Sequence, residues 1–220
     1  MIKIALVDDH QLFRKSLAVL INGMEGLQVV YDSDNGFDFL DFIKTEPIDL
    51  VLLDIQMPII NGFEICKLLK VQNPKIKILI ISQLTTKEAI HHVMEYGANG
   101  FFTKNTSPEY LEKALQNIMT EGFYFDTGLS TTIKEAILWD KKTHFNLTVD
   151  DNFKLSEREI QIIKLICQEK STSEIADVLK ITYRTVETHR NRLIKRLNMK
   201  NFIGVIIYAI KSDLLHLEDI

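Results

Sequence analysis

The sequence predicts two folded units: an α/β unit built on a doubly wound, five-stranded parallel sheet, then an all-α unit carrying a helix-turn-helix. Three observations lead there. Residues 2 to about 120 alternate five short apolar runs with longer segments of helical period. The runs are apolar nearly throughout rather than at every second position, which marks strands buried on both faces between layers of helices. Beyond residue 154 the pattern is helical only, and two short helical segments are separated by just "KI" and a capping candidate, Thr182.

The strands are read as "IKIALV" (2–7), "LQVVYD" (27–32), "DLVLLD" (49–54), "KILIIS" (77–82) and "GFF" (100–102). The intervening helices are "LFRKSLAVLI", "GFDFLDFIK", "GFEICKLLK" and "KEAIHHVME", with "PEYLEKALQNIM" after the last strand. Five such βα units suit a doubly wound domain, whose functional crevice lies outside the carboxyl ends of the strands. Those ends are chemically distinctive: Asp8 and Asp9 follow the first strand, Asp54 ends the third, Ser82 the fourth, and Lys104 follows the fifth.

Residues 122–153 lose the pattern except for one plausible helix near 129–140, and are read as a linker between a 1–121 unit and a 154–220 unit. Trp139 is expected to cover an apolar face there. In the last unit, Ser156 followed three residues later by Glu159 forms a capping box that starts "LSEREIQIIKLICQ". The helices "TSEIADVLK", "TYRTVETHRNRLIKRLN" and "FIGVIIYAIKSDLL" follow.

Composition narrows the function classes. The chain of 220 residues is 46% hydrophobic and 25% charged, ordinary for a globular protein. Its two cysteines, Cys66 and Cys167, lie in amphipathic runs, which argues against a disulfide scaffold or a cysteine zinc site. The longest apolar run, 202–210, is nine residues, too short to cross a bilayer, and "MIKIALVDD" has no secretory pattern, so a cytoplasmic location is expected. Charge is split: residues 1–153 carry 14 basic against 21 acidic side chains, and residues 154–220 carry 12 against 9. The basic excess is densest over 184–200. It suits an anionic partner, although a solvated helix face would show the same count.

Two adjacent acids at the mouth of a buried strand repel one another, and nearby low-dielectric protein raises the cost. If Asp8, Asp9 and Asp54 share one crevice, they call for a hard divalent cation. Mg2+ fits, because it takes one or two carboxylates, keeps several waters and leaves room for phosphate oxygens. A cation and a lysine are also what phosphoryl transfer needs, since that chemistry is mostly positioning and charge neutralisation. A carboxylate can be the nucleophile, and Asp54 is the natural choice, followed by a loop whose Pro58 and Gly62 suit a fixed turn. Ser82 can donate to a phosphoryl oxygen, and Lys104 can pair with another. His10 is read as a helix-start or solvent residue, because Mg2+ avoids imidazole. His91 and His92 are read as surface helix residues.

"LVDDH", "VLLDIQMPIINGFE", "ILIIS" and "GANGFFTK" resemble a response-regulator receiver domain. "LSEREIQIIKLICQEKSTSEIADVLKITYRTVETHRNRLIKRLN" resembles the DNA-binding domain of LuxR-type regulators. In this order they resemble the NarL/FixJ class of two-component response regulators over nearly the whole chain. The resemblance implies a flavodoxin-like receiver and a transcription factor, phosphorylated by a sensor histidine kinase, with no enzyme activity beyond phosphoryl transfer to Asp54 and its loss. It implies Asp54 as phospho-acceptor, and Asp9 and Asp54 as Mg2+ ligands together with the Gln56 carbonyl, Asp8 assisting through water. It further implies Ser82 as switch hydroxyl, Phe101 as switch aromatic and Lys104 as the family lysine. Asn105 stands where many receivers have a proline, so the cis bond found there is not carried over. A hydrolase that acts on free phosphate esters through an aspartyl-phosphate fits less well: it commonly needs an acid two places after the nucleophile, where Gln56 stands. Gln56 and Leu84 flank the expected pocket and are expected to tune phosphate lifetime.

The second helix of a helix-turn-helix enters the major groove. Here that is about 182–198, with an inward stripe of Val186, Leu193 and Leu197. Glu187, Thr188 and Asn191 are assigned to base edges, and Arg184, Thr185, Arg190, Lys195 and Lys200 to backbone phosphates. Glu187 stands where the family often has Lys; it either accepts from cytosine N4 or pairs with Arg184 or Arg190 without touching a base. His189 is assigned no role. The apolar final helix must be covered by its own unit or by a second copy, and the resemblance implies a homodimer on double-stranded DNA.

Overall fold

Strands that are apolar on both faces need helices on both sides, and the molecule meets that need with a parallel sheet wound in both directions. The structure is a computed structural model and describes residues 1–83, 86–125, 155–168, 170–199, 201–212 and 214. The chain divides into two compact units, Met1–Thr132 and Ile133–Ile220.

In the first unit, β1 (Ile2–Val7), β2 (Leu27–Ser33), β3 (Leu50–Asp54), β4 (Lys77–Ser82) and β5 (Gly100–Thr103) fall where the apolar runs predict them. They alternate with α1 (Gln11–Asn22), α2 (Gly36–Phe42), α3 (Gly62–Gln72), α4 (Lys87–Tyr96) and α5 (Pro108–Thr120). A short strand absent from the prediction, β6 (Tyr124–Phe125), pairs with Gly100 and Phe101 of β5 and extends the sheet three residues past the expected start of the linker. The strand order is β2-β1-β3-β4-β5-β6, every pair parallel. Winding therefore reverses between β1 and β3, and the carboxyl ends of these two neighbours flank the switch point, where α/β sheets bind ligands.

All five residues of β3 are buried, as are the last four of β1 and the last five of β4. Leu6, Leu52 and Ile81 pack into a cluster with Leu111, Leu115 and Ile118 of α5 on one face. Asn61 caps α3 through a capping box with Glu64, which fixes the helix start after the β3–α3 loop. Gly62 is required there by space: a Cβ would lie 2.1 Å from the Asp54 carbonyl oxygen.

The second unit contains α6 (Glu157–Cys167), α7 (Thr172–Leu179), α8 (Tyr183–Arg196) and α9 (Phe202–Lys211). The expected Ser156–Glu159 capping box is present, and a second one, Ser171–Glu174, starts α7. Lys180 ends α7 in the left-handed conformation, and Thr182 accepts from the Thr185 N–H to start α8, which makes the tight turn between them. The apolar side chains of α9, from Phe202 through Ile210, are nearly all buried within the single chain. Covering them does not require a second copy. The expected linker helix and Trp139 lie outside the described residues. Among the described residues no helix is long and apolar enough to cross a membrane. Burial pushes the Cys167 thiol up to about 12, so it remains a thiol, half-buried at the end of α6.

Candidate functional site

Side chains at the ends of β1, β3 and β5 converge at the switch point. The Lys104 ammonium lies 2.7 Å from Asp8 Oδ2 and 2.8 Å from Asp54 Oδ2, and the three side chains are only 6, 6 and 3% exposed. A single buried cation thus bridges two buried carboxylates. Burial raises the Asp54 carboxyl above its ordinary range, with the Asp8 charge adding to the effect; the Lys104 ammonium and the Gln56 N–H act against it without cancelling it. Asp8 uses its other oxygen to accept from the His10 N–H at 2.8 Å.

Asp9 completes the acidic set. Carboxylate oxygens of Asp8, Asp9 and Asp54 and a ring nitrogen of His10 all lie within 4.8 Å of one another. His10 Nδ1 sits 2.9 Å from Asp9 Oδ1 but out of hydrogen-bonding alignment, so that buried oxygen has no hydrogen-bond partner among the described residues. Oxygen donors dominate, one buried acceptor is unsatisfied, and three acids face one lysine. This set fits a hard divalent cation such as Mg2+. His10 itself is mostly exposed at the start of α1, as expected.

Ser82 is fully buried at the end of β4, and its carbonyl accepts from the Lys104 N–H at 3.0 Å, which ties the lysine to the strand carrying the hydroxyl. Phe101, one strand over, is also fully buried. Leu84 lies outside the described residues, and Gln56 is exposed beside the pocket.

Two supporting residues escape sequence reasoning. Arg14 is buried and donates through Nη1 to the Asp8 carbonyl oxygen and through Nε to Asp32 Oδ2 at 3.0 Å. Lys15 reaches the same carboxylate at 2.9 Å. Lys15 and Arg14 outweigh the modest burial and hold the Asp32 carboxyl below its usual range. The turn that aims Asp8 and Asp9 is therefore clamped by a guanidinium anchored to β2. Its only signal in sequence is an Arg on an otherwise apolar helix face.

In the second unit, Arg184, Thr188, Asn191 and Lys195 of α8 are exposed on one side, while Val186, Leu193 and Leu197 are buried. Thr188 Oγ1 donates to the Arg184 carbonyl at 2.8 Å, and Thr185 meets Thr182 Oγ1 at 2.8 Å. Arg190 departs from its expected place at a phosphate. It is buried, donating to Thr172 Oγ1 at 2.7 Å and to Glu187 Oε1 at 3.0 Å, with its guanidinium 5.3 Å from the Phe202 ring centre. One turn beyond Val186 it shares the inward stripe, where its long stem packs like an apolar side chain. Glu187 accordingly forms the intramolecular pair that was one of its two readings. Arg192 and Arg196 turn toward the buried Glu159, at 3.4 and 2.8 Å. His189 keeps a buried Nδ1 without a hydrogen-bond partner among the described residues. Lys200 lies outside the described residues.

Comparison with known proteins agrees with both halves. Residues 4–116 match the family model of the response regulator receiver domain, and residues 154–209 that of the bacterial regulatory proteins of the luxR family. The chain belongs to the response-regulator family. The regulator is 29% identical over 215 residues to the oxygen regulatory protein NreC of Staphylococcus epidermidis, covering 97% of this chain and 99% of that one. It is 27% identical over 218 residues to the response regulator UvrY of Escherichia coli, covering 99% and 98%. A structure of two RcsB dimers bound to two parallel DNAs shares its fold with a TM-score of 0.57 at 17% identity, over 97% of this chain and 99% of that one. The regulator thus joins a receiver to a LuxR-type DNA-binding domain, the organisation of a phosphorylation-switched transcription factor.

Proposed function

We propose that Asp54 accepts a phosphoryl group from a sensor histidine kinase and that this switches binding of the regulator to double-stranded DNA as a homodimer. The observation that carries the reading is the Lys104 ammonium held between Asp8 and Asp54 at 2.7 and 2.8 Å. The Asp54 carboxylate attacks phosphorus, the P–O bond forms as the P–N bond to the kinase histidine breaks, and that nitrogen leaves with the histidine. Asp9 and Asp54, with the Gln56 carbonyl, would hold Mg2+ in this reading, and Asp8, already engaged by Lys104 and the His10 N–H, would assist through water. Bound Mg2+ supplies charge neutralisation for the phosphoryl oxygens. Lys104 pairs with one phosphoryl oxygen and Ser82 donates to another, and Phe101, which packs on the neighbouring strand, follows the movement of Ser82.

The receiver is 1–121 together with the β6 strand that ends at 125, the linker runs from there to 153, and the DNA-binding domain is 154–220. Thr188 and Asn191 read bases, with Glu187 restricted by its pair with Arg190; Arg184, Thr185, Lys195 and Lys200 contact phosphates. The RcsB dimers on DNA support dimeric binding. Genomic fragments are bound with and without acetyl phosphate, alongside Asp54→Asn. Labelling lost in Asp54→Asn and DNA affinity that rises only with labelling fit the proposal; an unlabelled wild type that binds DNA equally well refutes it.

A further inference from the structure

The last turns of α4 hold a second constellation, separate from the acidic pocket. His91 Nε2 lies 3.9 Å from Glu95 Oε2, His92 Nδ1 lies 3.3 Å from the same oxygen, and all three ligand atoms fall within 4.8 Å of one another. His91 is buried, against its expected place on the surface. The His92 ring is fixed on two sides, stacked on Tyr96 with centres 5.5 Å apart and edge-on to Phe63 at 5.5 Å. Tyr96 is in turn covered by the Lys67 ammonium, 4.3 Å from its ring centre.

We propose that His91, His92 and Glu95 form a transition-metal site of zinc type. The donor chemistry separates it from the first pocket. Two imidazoles and one carboxylate suit Zn2+ and its neighbours Co2+, Ni2+ and Cu2+, whereas an all-oxygen set suits Mg2+. The two edges that meet at Glu95 approach what zinc needs, and the His91–His92 edge, no longer than 4.8 Å, has to close further on binding. Ligand bonds of about 2.0–2.2 Å in a tetrahedron place neighbouring ligand atoms about 3.4 Å apart. The His92–Glu95 edge already has that length, and the His91–Glu95 edge, at 3.9 Å, needs a shift of about half an ångström. Three protein ligands leave a fourth position for water or an external ligand. The ion would cross-link residues i, i+1 and i+4 of the helix that follows Ser82 and packs beside β5 with Phe101, so zinc would stiffen the element next to the expected switch.

The test titrates Zn2+ calorimetrically into the untagged, chelator-stripped full chain with Mg2+ in large excess, and repeats the titration with Co2+ read by visible absorption. Among the described residues the other metal-competent set contains His10 in the acidic pocket, so His10→Ala is run beside His92→Ala and Glu95→Gln, with circular dichroism checking each fold. About one Zn2+ per chain is expected in wild type and His10→Ala, with tetrahedral Co2+ bands, and no measurable binding in His92→Ala and Glu95→Gln. Glu95→Gln preserves the helix, so its loss of binding is informative even if His92→Ala fails to fold. No Zn2+ bound by wild type, binding retained in Glu95→Gln, or binding abolished by His10→Ala would each overturn the site.

Discussion

Lys104→Met removes the ammonium at the centre of the acidic pocket while keeping a side chain of similar length. The ammonium lies 2.7 Å from one buried carboxylate and 2.8 Å from another, so its loss leaves Asp8 and Asp54 facing each other away from water. Breaking a buried ion pair from one side costs about 3–5 kcal/mol. Proton uptake limits that cost. Protonating a carboxyl of ordinary pKa near 4 at pH 7 takes about 4 kcal/mol, at about 1.4 kcal/mol per pH unit. Burial has already raised the Asp54 carboxyl, so Asp54 takes the proton and the ceiling lies below that value. The expected loss is about 3 kcal/mol at pH 7 without Mg2+, shrinking to about 1 kcal/mol near pH 5, and Mg2+ narrows it at either pH. Hydrogen exchange of the β1, β3 and β4 amides in the intact chain reads this for the first unit alone. A variant within about 0.5 kcal/mol of wild type at pH 7 without Mg2+ would show that the ammonium does not hold the carboxylates together.

Other perturbations probe the second unit and the loop. The Ser156 N–H and hydroxyl, with Arg196 and Arg192, overcome burial and hold the Glu159 carboxyl below its ordinary range. A depressed folded value gives stability that is present above the unfolded pKa and lost as pH falls through the folded one, so the second unit weakens below about pH 4.5. Glu159→Gln flattens that dependence and costs about 1–2 kcal/mol at neutral pH, measured by denaturant titration followed through exchange of α6 amides. Arg190→Ala, which removes the guanidinium bonds to Thr172 and Glu187, costs about 2–3 kcal/mol. Arg184→Ala leaves stability within about 0.5 kcal/mol but lowers the salt dependence of DNA binding by about one ion. Ile59 sits at φ 72°, 82% exposed, in the loop after Asp54. Ile59→Gly relieves a left-handed β-branched residue and raises thermal stability by about 1 kcal/mol; an unchanged or lower melting temperature refutes the strain.

The strands and the acidic pocket were legible because each rests on a local signal. A run such as "IALV" (4–7) has no polar position to spare for solvent, and the acid directly after it, Asp8, must stand at the sheet's carboxyl edge. Topology then does the rest, since β1 and β3 are neighbours across the switch point and their terminal acids have to meet. What was hidden depends on pairs distant in sequence. Arg14 and Asp32 are 18 residues apart and Arg196 and Glu159 are 37 apart, with no periodicity to link them. Arg190 was misplaced for a different reason: charge counting treats every arginine as solvated, yet a guanidinium with two acceptors and an aromatic face can be buried at low cost. His91 misled for the same cause, because a helix of mixed polarity does not announce which polar residue flanks its apolar stripe.

Charge arithmetic joins the pocket to the switch. Asp8, Asp9 and Asp54 bring three negative charges, and Lys104 is the one lysine among them, so a divalent cation brings the set close to neutrality. Under the proposed function, phosphorylation would exchange one negative charge on Asp54 for about two on an acyl phosphate and add three acceptor oxygens beside buried side chains. The new oxygens must find donors among groups already in place. In that proposal Lys104 would give up part of its contact with Asp8 to reach them, and the Ser82 hydroxyl, buried at the end of β4, would supply a neutral donor. Ser82 and Lys104 are also joined by a backbone hydrogen bond at 3.0 Å, which ties the end of β4 to the residue after β5. Such a switch would need no long movement: a pocket balanced for one charge state would be unbalanced by the next, at the ends of β4 and β5.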